Sequence, residues 1–294
     1  MSHQTTQLKA TSVGATAVLM WATLALFTKL SGSVPPFQLT AMSFSIAFLI
    51  GLGLWRRAGG NILHHLRLPK RVWLLGIFGL FGYHFFYFIA LRNAPAVEAS
   101  LIAYLWPLLI VLFSALLPNE KLRWFHIAGA MLSFVGAGFL VTKGQSLSFD
   151  ARYGLGYLAA LVCALTWSSY SVLSRFFGSI PTHAVGGFCG VTALLALVCH
   201  FLFEQTVWPV GGEWLAILCL GLGPIGAAFF TWDYGVKRGN IKVLGAFSYT
   251  APLISTILLI AFGLAEATWI IALACLLIVG GALLAAGDFL RQAA

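Results

Sequence analysis

The chain has 294 residues, of which 60% are hydrophobic and only 9% are charged, and its formal net charge is +9. Soluble domains carry roughly 25% charged residues, so this composition excludes a soluble globular protein and predicts an all-α integral membrane protein. The positive charge indicates membrane topology and not nucleic-acid binding. No glycine motif for phosphate or dinucleotide binding is present, and the five cysteines lack metal-ligand spacing, so we expect neither a cofactor nor a metal.

Ten apolar segments of about 20 residues are long enough to cross a bilayer. The first follows a short polar stretch without a cleavage pattern, so we expect it to be retained as a membrane span. The predicted spans are 12–31, 36–55, 72–91, 97–117, 124–142, 154–177, 182–203, 213–235, 242–262 and 267–287.

The basic residues predict the orientation of these spans. With a cytoplasmic N-terminus, the outer side holds only Lys29, Arg92, Lys143 and Arg152, and the inner side holds the other 13 of the 17 Lys and Arg residues. Because cytoplasmic loops carry an excess of Lys and Arg, this count predicts that both termini are cytoplasmic.

Two residue patterns recur at the same spacing in the two halves of the chain. The first is a Trp, a basic residue eight positions later and a Pro six beyond that, found as Trp21, Lys29, Pro35 and as Trp167, Arg175, Pro181. The second is a Tyr, a Pro three positions later and a Trp 17 beyond that, found as Tyr104, Pro107, Trp124 and as Tyr249, Pro252, Trp269. Each half holds five spans, so the second half must enter the membrane from the opposite side. The sequence therefore predicts two inverted five-helix repeats, 12–143 and 154–287, which is an architecture of secondary transporters.

Polar and aromatic side chains within the spans predict a substrate cavity. Such side chains are costly in lipid unless they face protein or a water-filled cavity. Pro107 and Pro252 are expected to kink their helices and free backbone carbonyls near mid-membrane. Rings with polar edges suit a ligand with a planar apolar body, and an amine can rest on a ring face, so an aromatic amino acid fits both features. The predicted substrate-binding residues are Trp21, Tyr83, His84, Tyr87, Tyr104, Trp106, Trp167 and Tyr249.

The same rings have an alternative interpretation as helix packing and membrane-interface belts. We favour that interpretation for the tryptophans near helix ends, which are Trp73, Trp124, Trp208, Trp214 and Trp269. His84 also has two interpretations. It could line the path, sense pH or carry a proton, or it could be a neutral histidine bonded to a carbonyl of a neighbouring helix.

Other polar and small residues have structural interpretations. Asp233 and Lys237 are four residues apart and suit an ion pair at the inner interface. Glu120 lies in the inner turn between the fourth and fifth spans, where we expect a structural role. Glycines in the fifth and tenth spans allow close helix packing, either within the monomer or in a dimer, so we expect a monomer or weak homodimer. These glycines are Gly129, Gly136, Gly138, Gly280 and Gly281.

Three motifs in this ten-span arrangement resemble a known family. They are Tyr104-Leu105-Trp106-Pro107, the residues Trp232, Asp233, Gly235, Gly239 and Asn240, and the residues Ser248, Tyr249 and Pro252. They resemble the drug/metabolite transporter superfamily in its EamA-type ten-helix branch, and more closely its aromatic amino-acid exporters. The resemblance implies export of aromatic and other neutral amino acids across a bacterial inner membrane. It also implies cavity positions at Tyr83, Tyr104, Trp106 and Trp167.

Rival functions remain open at this stage. A multidrug or other small-metabolite exporter of the same superfamily is the close alternative, and a polyamine exporter would require carboxylates in the cavity. A carrier of phosphorylated metabolites would require basic side chains, for which Lys29 and Arg175 are available. A channel also remains open. An enzyme is not expected, because no metalloprotease or serine-hydrolase motif occurs. The expected partners are a small-molecule substrate and the lipid bilayer.

Overall fold

The computed structural model describes residues 3–59, 61–118, 120–145, 147 and 149–287, and this part of the chain is helical with no strand. Nine of its helical segments are 19 to 27 residues long and apolar enough to cross a membrane, and a further apolar helix has 17 residues. In chain order these segments, α1 to α10, are Thr5–Leu30, Pro36–Ala58, Lys70–Asn93, Ala96–Leu116, Trp124–Thr142, Ala151–Phe177, Thr182–Phe203, Glu213–Arg238, Ile241–Ala261 and Trp269–Ala285.

The boundaries agree with the predicted spans to within a few residues, except at the start of the chain. There the helix already begins at His3, well before the predicted residue 12. A short helix, Ile62–His65, lies in the connection between α2 and α3. Arg291, which was assigned to the inner side, lies outside the described residues.

Several of the long helices are interrupted, and the interruptions occur in corresponding members of the two halves. In α3 and α8 a π-helical turn separates two α-helical parts, and in α4 and α9 the helix breaks just before the proline. The parts of α3 and α8 are Lys70–Ile77, Phe78–Gly82, Tyr83–Asn93 and Glu213–Leu222, Gly223–Ala227, Ala228–Arg238. Those of α4 and α9 are Ala96–Ala103, Trp106–Phe113, Ser114–Leu116 and Ile241–Phe247, Thr250–Ala261.

The remaining helices differ in regularity. In α1 the chain turns between His3–Trp21 and Leu24–Leu30. Short 3-10 turns stand at the ends of α6 and at the start of α7. These elements are Ala151–Tyr153, Gly154–Leu173, Ser174–Phe177, Thr182–Ala184 and Val185–Phe203. The helices α2, α5 and α10 run without a break.

Each helix of the first half packs against a helix of the second half. The pairs are α1 with α8, α2 with α7, α3 with α6, α4 with α9, and α5 with α10. The corresponding helices α2 and α7 run antiparallel, because the amide of Phe37 binds Glu204 at one end and the indole of Trp55 binds the carbonyl of His183 at the other.

The contact between α5 and α10 depends on glycine. Gly129 lies against the backbone of Gly281 and Ala285, and Gly281 lies in turn against Gly129 and Ser133. The hydroxyl of Ser133 donates to the carbonyl of Ile278 at 3.2 Å. A side chain at either glycine would meet backbone atoms, so these small residues hold the two helices together within one chain. Gly280 faces open space.

Loops at the two ends of the bundle differ in charge. One end, which we call the basic end, carries the connections α2–α3, α4–α5, α6–α7 and α8–α9 and 12 described Lys and Arg residues. The opposite end carries the connections α1–α2, α3–α4, α5–α6, α7–α8 and α9–α10, with only Lys29, Arg92, Lys143 and Arg152.

The two neighbouring glycines of α10 give a direct test of this packing. We expect Gly281→Val to lower the melting temperature of the purified protein, because overpacking against backbone costs about 1–3 kcal/mol. Gly280→Val is the matched control and should leave the melting temperature nearly unchanged. Equal melting temperatures for the two variants would contradict the tight α5–α10 contact.

Candidate functional site

A cavity of about 650 Å³ lies at the centre of the bundle. Its walls come from both halves, and they extend to Lys29, Gly32, Pro36 and Leu91 near the opposite end. Among the described residues, none of the basic-end loops lines it. The cavity therefore extends toward the opposite end. Seven of the eight predicted binding residues line it, namely Trp21, Tyr83, His84, Tyr87, Tyr104, Trp106 and Trp167.

Four tryptophans pack together at the end of the cavity that lies deepest in the bundle. Trp21 and Trp106 come from the first half, Trp167 and Trp232 from the second, and every pair among them has ring centroids 5.0 to 6.3 Å apart. Most of the pairs meet edge to face or at a tilt, arrangements that aromatic rings prefer. We call these four residues the tryptophan cluster. It joins the two halves of the chain at mid-depth.

Trp232 is the member of the cluster that the sequence did not identify as a site residue. It is fully buried beneath the cavity, and its indole nitrogen donates to the hydroxyl of Ser171 at 3.0 Å. It occurred only within a family motif near the charged end of α8. Phe229, one turn earlier on the same helix, lines the cavity and packs on Trp21 and Trp167. The sequence signal that could have identified Trp232 is its position three residues after Phe229, which places both side chains on one face of α8.

Tyrosines form a second aromatic surface on one wall. The rings of Tyr83 and Tyr87 are stacked with centroids 6.1 Å apart, and Tyr83 also meets Trp167 at 5.6 Å. The hydroxyl of Tyr87 lies 3.3 Å from that of Ser100. The wall thus presents ring faces together with a few hydroxyl groups, which suits a ligand that is mostly apolar with a polar end.

His84 lines the cavity but has a local hydrogen bond. Its Nδ1 lies 2.7 Å from the carbonyl of Leu80 in the π-helical turn of the same helix, so Nδ1 carries the proton and donates. Its ring packs edge-on against Phe44 at 5.1 Å. This hydrogen bond joins His84 to its own helix and not to a neighbouring one.

Tyr249 lies outside the cavity and contacts the backbone of the other half. It is fully buried, and its hydroxyl accepts a hydrogen bond from the amide of Leu108 at 3.1 Å. That amide follows Pro107, where α4 has just been interrupted. In α1, Trp21 has a comparable contact, because its indole donates to the carbonyl of Pro224 in the π-helical turn of α8 at 3.0 Å. Both irregular backbone sites are satisfied by a side chain from the other half.

Charged residues are nearly absent from the cavity. Among the described lining residues Lys29 is the one with a full charge, and no Asp or Glu is present. Within the described chain, no three His, Cys, Asp or Glu side chains lie together as metal ligands.

Ion pairs lie at the basic end, beyond the tryptophan cluster. Glu120 binds Arg175 at 3.1 Å and Lys242 at 2.9 Å, so a residue of the first half bridges two helices of the second. Asp233 pairs with Lys237 at 2.9 Å and accepts from Thr182 at 2.8 Å, as its spacing from Lys237 predicts. We call these contacts the basic-end ion pairs.

The tryptophans assigned to the membrane interface lie away from the cavity. Four are exposed on the outside of the bundle, and Trp73 packs edge to face on Phe188. The exposed four are Trp124, Trp208, Trp214 and Trp269.

Both halves of the chain match one protein family. The EamA-like transporter family matches residues 8–142 and again residues 154–287. The chain belongs to this family. It is thereby a multi-pass membrane transporter of the drug/metabolite transporter superfamily and not an enzyme.

Relatives with known names cover nearly the whole chain. The aromatic amino acid exporter YddG of Ancylobacter novellus is 54% identical over 94% of this chain and 96% of its own length. YddG of Escherichia coli is 25% identical over 95% of this chain and 97% of its own length. A biotin transporter of Escherichia coli is 24% identical over 74% of this chain and 72% of its own length. A crystal structure of a protein with 54% identity superposes with a TM-score of 0.89 and covers 94% of this chain and 97% of that one.

The position of Tyr249 predicts a structural effect of its hydroxyl. Tyr249→Phe leaves the amide of Leu108 buried without a partner, which costs about 1–3 kcal/mol, so we expect a lower melting temperature. Tyr153→Phe, at the exposed end of α6, is the control and should leave the melting temperature unchanged. An unchanged melting temperature for Tyr249→Phe would show that the hydroxyl is not needed there.

Proposed function

We propose that this protein exports aromatic and other neutral amino acids from the cytoplasm across a bacterial inner membrane, by alternating access through the central cavity. The observation that carries the proposal is the tryptophan cluster at the end of a cavity without carboxylates. The names of the YddG relatives support the same substrate class.

The cavity fits such a substrate in size and chemistry. Its volume of about 650 Å³ lies in the usual range for small-molecule sites. Each favourable contact between aromatic rings contributes about 0.5–1.5 kcal/mol beyond the burial of surface. Lysine would bring a side-chain ammonium group, and a polyamine several ammonium groups, with no carboxylate among the described lining residues to pair them, and burying an unpaired charge is costly. The cavity therefore favours neutral side chains.

We further propose that residues 12–143 and 154–287 are inverted five-helix repeats, with α10 as the tenth span and both termini cytoplasmic. The antiparallel course of α2 and α7, the matched helix breaks and the two family matches support the repeat. The concentration of Lys and Arg at the basic end supports its placement in the cytoplasm. Gly129 of α5 and Gly281 of α10 pack against each other's helix within one chain, so they are not available for contacts with a second copy, which supports a monomer.

With this orientation, the cavity faces outward, and its cytoplasmic side is closed by the tryptophan cluster and by the ion pairs of Glu120 with Arg175 and Lys242. The transport cycle requires the two halves to move against each other, so that contacts at one end open as those at the other end close. Glu120 bridges the halves through Arg175 and Lys242, so it stabilises the outward-facing state.

The close alternative is export of another small metabolite by the same route. One observation favours it, since the positive charge of Lys29 at the cavity mouth suits any carboxylate-bearing solute. A relative named as a biotin transporter fits the same chemistry. Arg175 offers no second cation for a phosphorylated solute, because it is paired with Glu120.

Removal of one ring from the cavity tests the proposed substrate. We expect Trp106→Ala to reduce phenylalanine transport in proteoliposomes tenfold or more, because it removes ring contacts and opens the inner end of the cavity. Trp124→Ala is the matched control, since Trp124 is 73% exposed at a helix end and does not line the cavity. Wild-type transport by Trp106→Ala would contradict the aromatic binding site.

Removal of the Glu120 carboxylate tests whether its ion pairs keep the cytoplasmic side of the cavity closed. We expect Glu120→Gln to favour the inward-facing state by about 1 kcal/mol, or roughly fivefold in the population ratio. The measurement is maleimide labelling in a variant whose native cysteines are replaced. Labelling of Ser174→Cys, buried near Arg175, should rise about fivefold, and labelling of Thr28→Cys at the cavity mouth should fall.

The control for this experiment breaks an ion pair at the other end. Asp150→Asn removes the exposed pair between Asp150 and Arg152 and should change neither labelling rate. Unchanged labelling in Glu120→Gln would show that the basic-end ion pairs do not bias the two states.

A further inference from the structure

The connection between α2 and α3 carries a cluster of basic side chains without a counter-charge. Residues 56–71, which we call the α2–α3 loop, contain five Lys and Arg residues and no Asp or Glu. All five are exposed, and within the described chain none has a side-chain hydrogen bond, ion pair or ring contact. They are Arg56, Arg57, Arg67, Lys70 and Arg71.

Most other described cations at the basic end have partners within the protein, and the two exceptions, Lys9 and Lys121, lie apart from each other in the sequence. Arg175 and Lys242 share Glu120, Lys237 pairs with Asp233, and the guanidinium of Arg238 lies over a tyrosine ring at 4.8 Å. The unpaired positive charge is thus concentrated in the α2–α3 loop. A cluster of this kind attracts an anionic partner.

Residues 61–65 of this loop have a defined conformation. The side chain of Asn61 caps the short helix Ile62–His65 by accepting from the amide of Leu63. The ring of His65 stacks on Trp55 with centroids 5.8 Å apart, and its Nδ1 lies 3.2 Å from Nε2 of His183 on α7. The basic side chains therefore project from a fixed backbone, which lowers the entropic cost of binding.

The helical positions of these residues place them at the edge of the lipid-facing surface. Arg56 follows Leu49 by seven residues on α2, and Lys70 precedes Leu74 by four on α3, so each pair shares a helix face. Leu49 is 62% exposed and Leu74 is 68% exposed, as expected for side chains that contact lipid tails. Arg56 and Lys70 thus lie at the basic-end edges of these apolar faces, and the exposed Leu63 lies between them in the sequence.

We propose that the α2–α3 loop binds the phosphodiester head groups of anionic phospholipids at the basic face of the membrane. Guanidinium groups bind phosphate oxygens through paired hydrogen bonds, and clusters of Lys and Arg beside a membrane helix attract anionic lipids. The proposal depends on the membrane placement of the chain and not on its transported substrate.

The test is native mass spectrometry of the full-length protein in detergent, titrated with phosphatidylglycerol, with phosphatidylcholine and inorganic phosphate in separate arms. Wild-type protein should bind phosphatidylglycerol in preference to phosphatidylcholine, and phosphate should not compete. Each basic side chain near an anionic surface strengthens binding about fivefold, so Arg56→Gln/Lys70→Gln should bind phosphatidylglycerol at least tenfold more weakly.

The matched control removes the same charge elsewhere at the basic end. Lys9 and Lys121 are exposed outside the loop, and Lys9→Gln/Lys121→Gln should retain wild-type binding. Equal losses in the two double variants would overturn the proposal in favour of a diffuse charge effect. Competition by phosphate would overturn it in favour of a free-anion site, and a lack of preference for phosphatidylglycerol in the wild type would overturn it outright.

Discussion

Backbone groups in the lipid core of a bilayer have no water to bind, so an amide or carbonyl freed by a helix break must find a partner within the protein or face a water-filled cavity. This chain interrupts its helices at mid-depth and satisfies freed groups across the boundary between its halves. Trp21 donates to the carbonyl of Pro224, and the hydroxyl of Tyr249 accepts from the amide of Leu108. Two of the helix breaks thus also provide contacts that join the halves.

Contacts between the two halves differ in kind, and this difference allows a stable fold to change conformation. Contacts along α2–α7 and α5–α10 are close and continuous, whereas those around the tryptophan cluster are between rings that tolerate several relative angles. Toward the basic end, the ion pairs of Glu120 with Arg175 and Lys242 join the two halves. In the proposed cycle these ion pairs separate as the halves move against each other.

The sequence predicts most of this arrangement, because membrane spans and their polar residues obey strong constraints. Apolar length located the spans, and the cost of polar groups in lipid identified Tyr83, Tyr104 and the other lining residues. Which face of a span is directed toward the cavity depends on distant helices and was not predictable from the sequence. Trp232 was therefore missed. Tyr249 was predicted to line the cavity, but its side chain packs against α4 instead.

The measurement that tests the central claim most directly is uptake of labelled phenylalanine and labelled lysine into proteoliposomes containing the purified protein. An aromatic cavity without carboxylates predicts saturable phenylalanine uptake, competition by tryptophan and no lysine uptake above that of empty liposomes. Lysine uptake equal to that of phenylalanine, or no saturable phenylalanine uptake, would contradict the account.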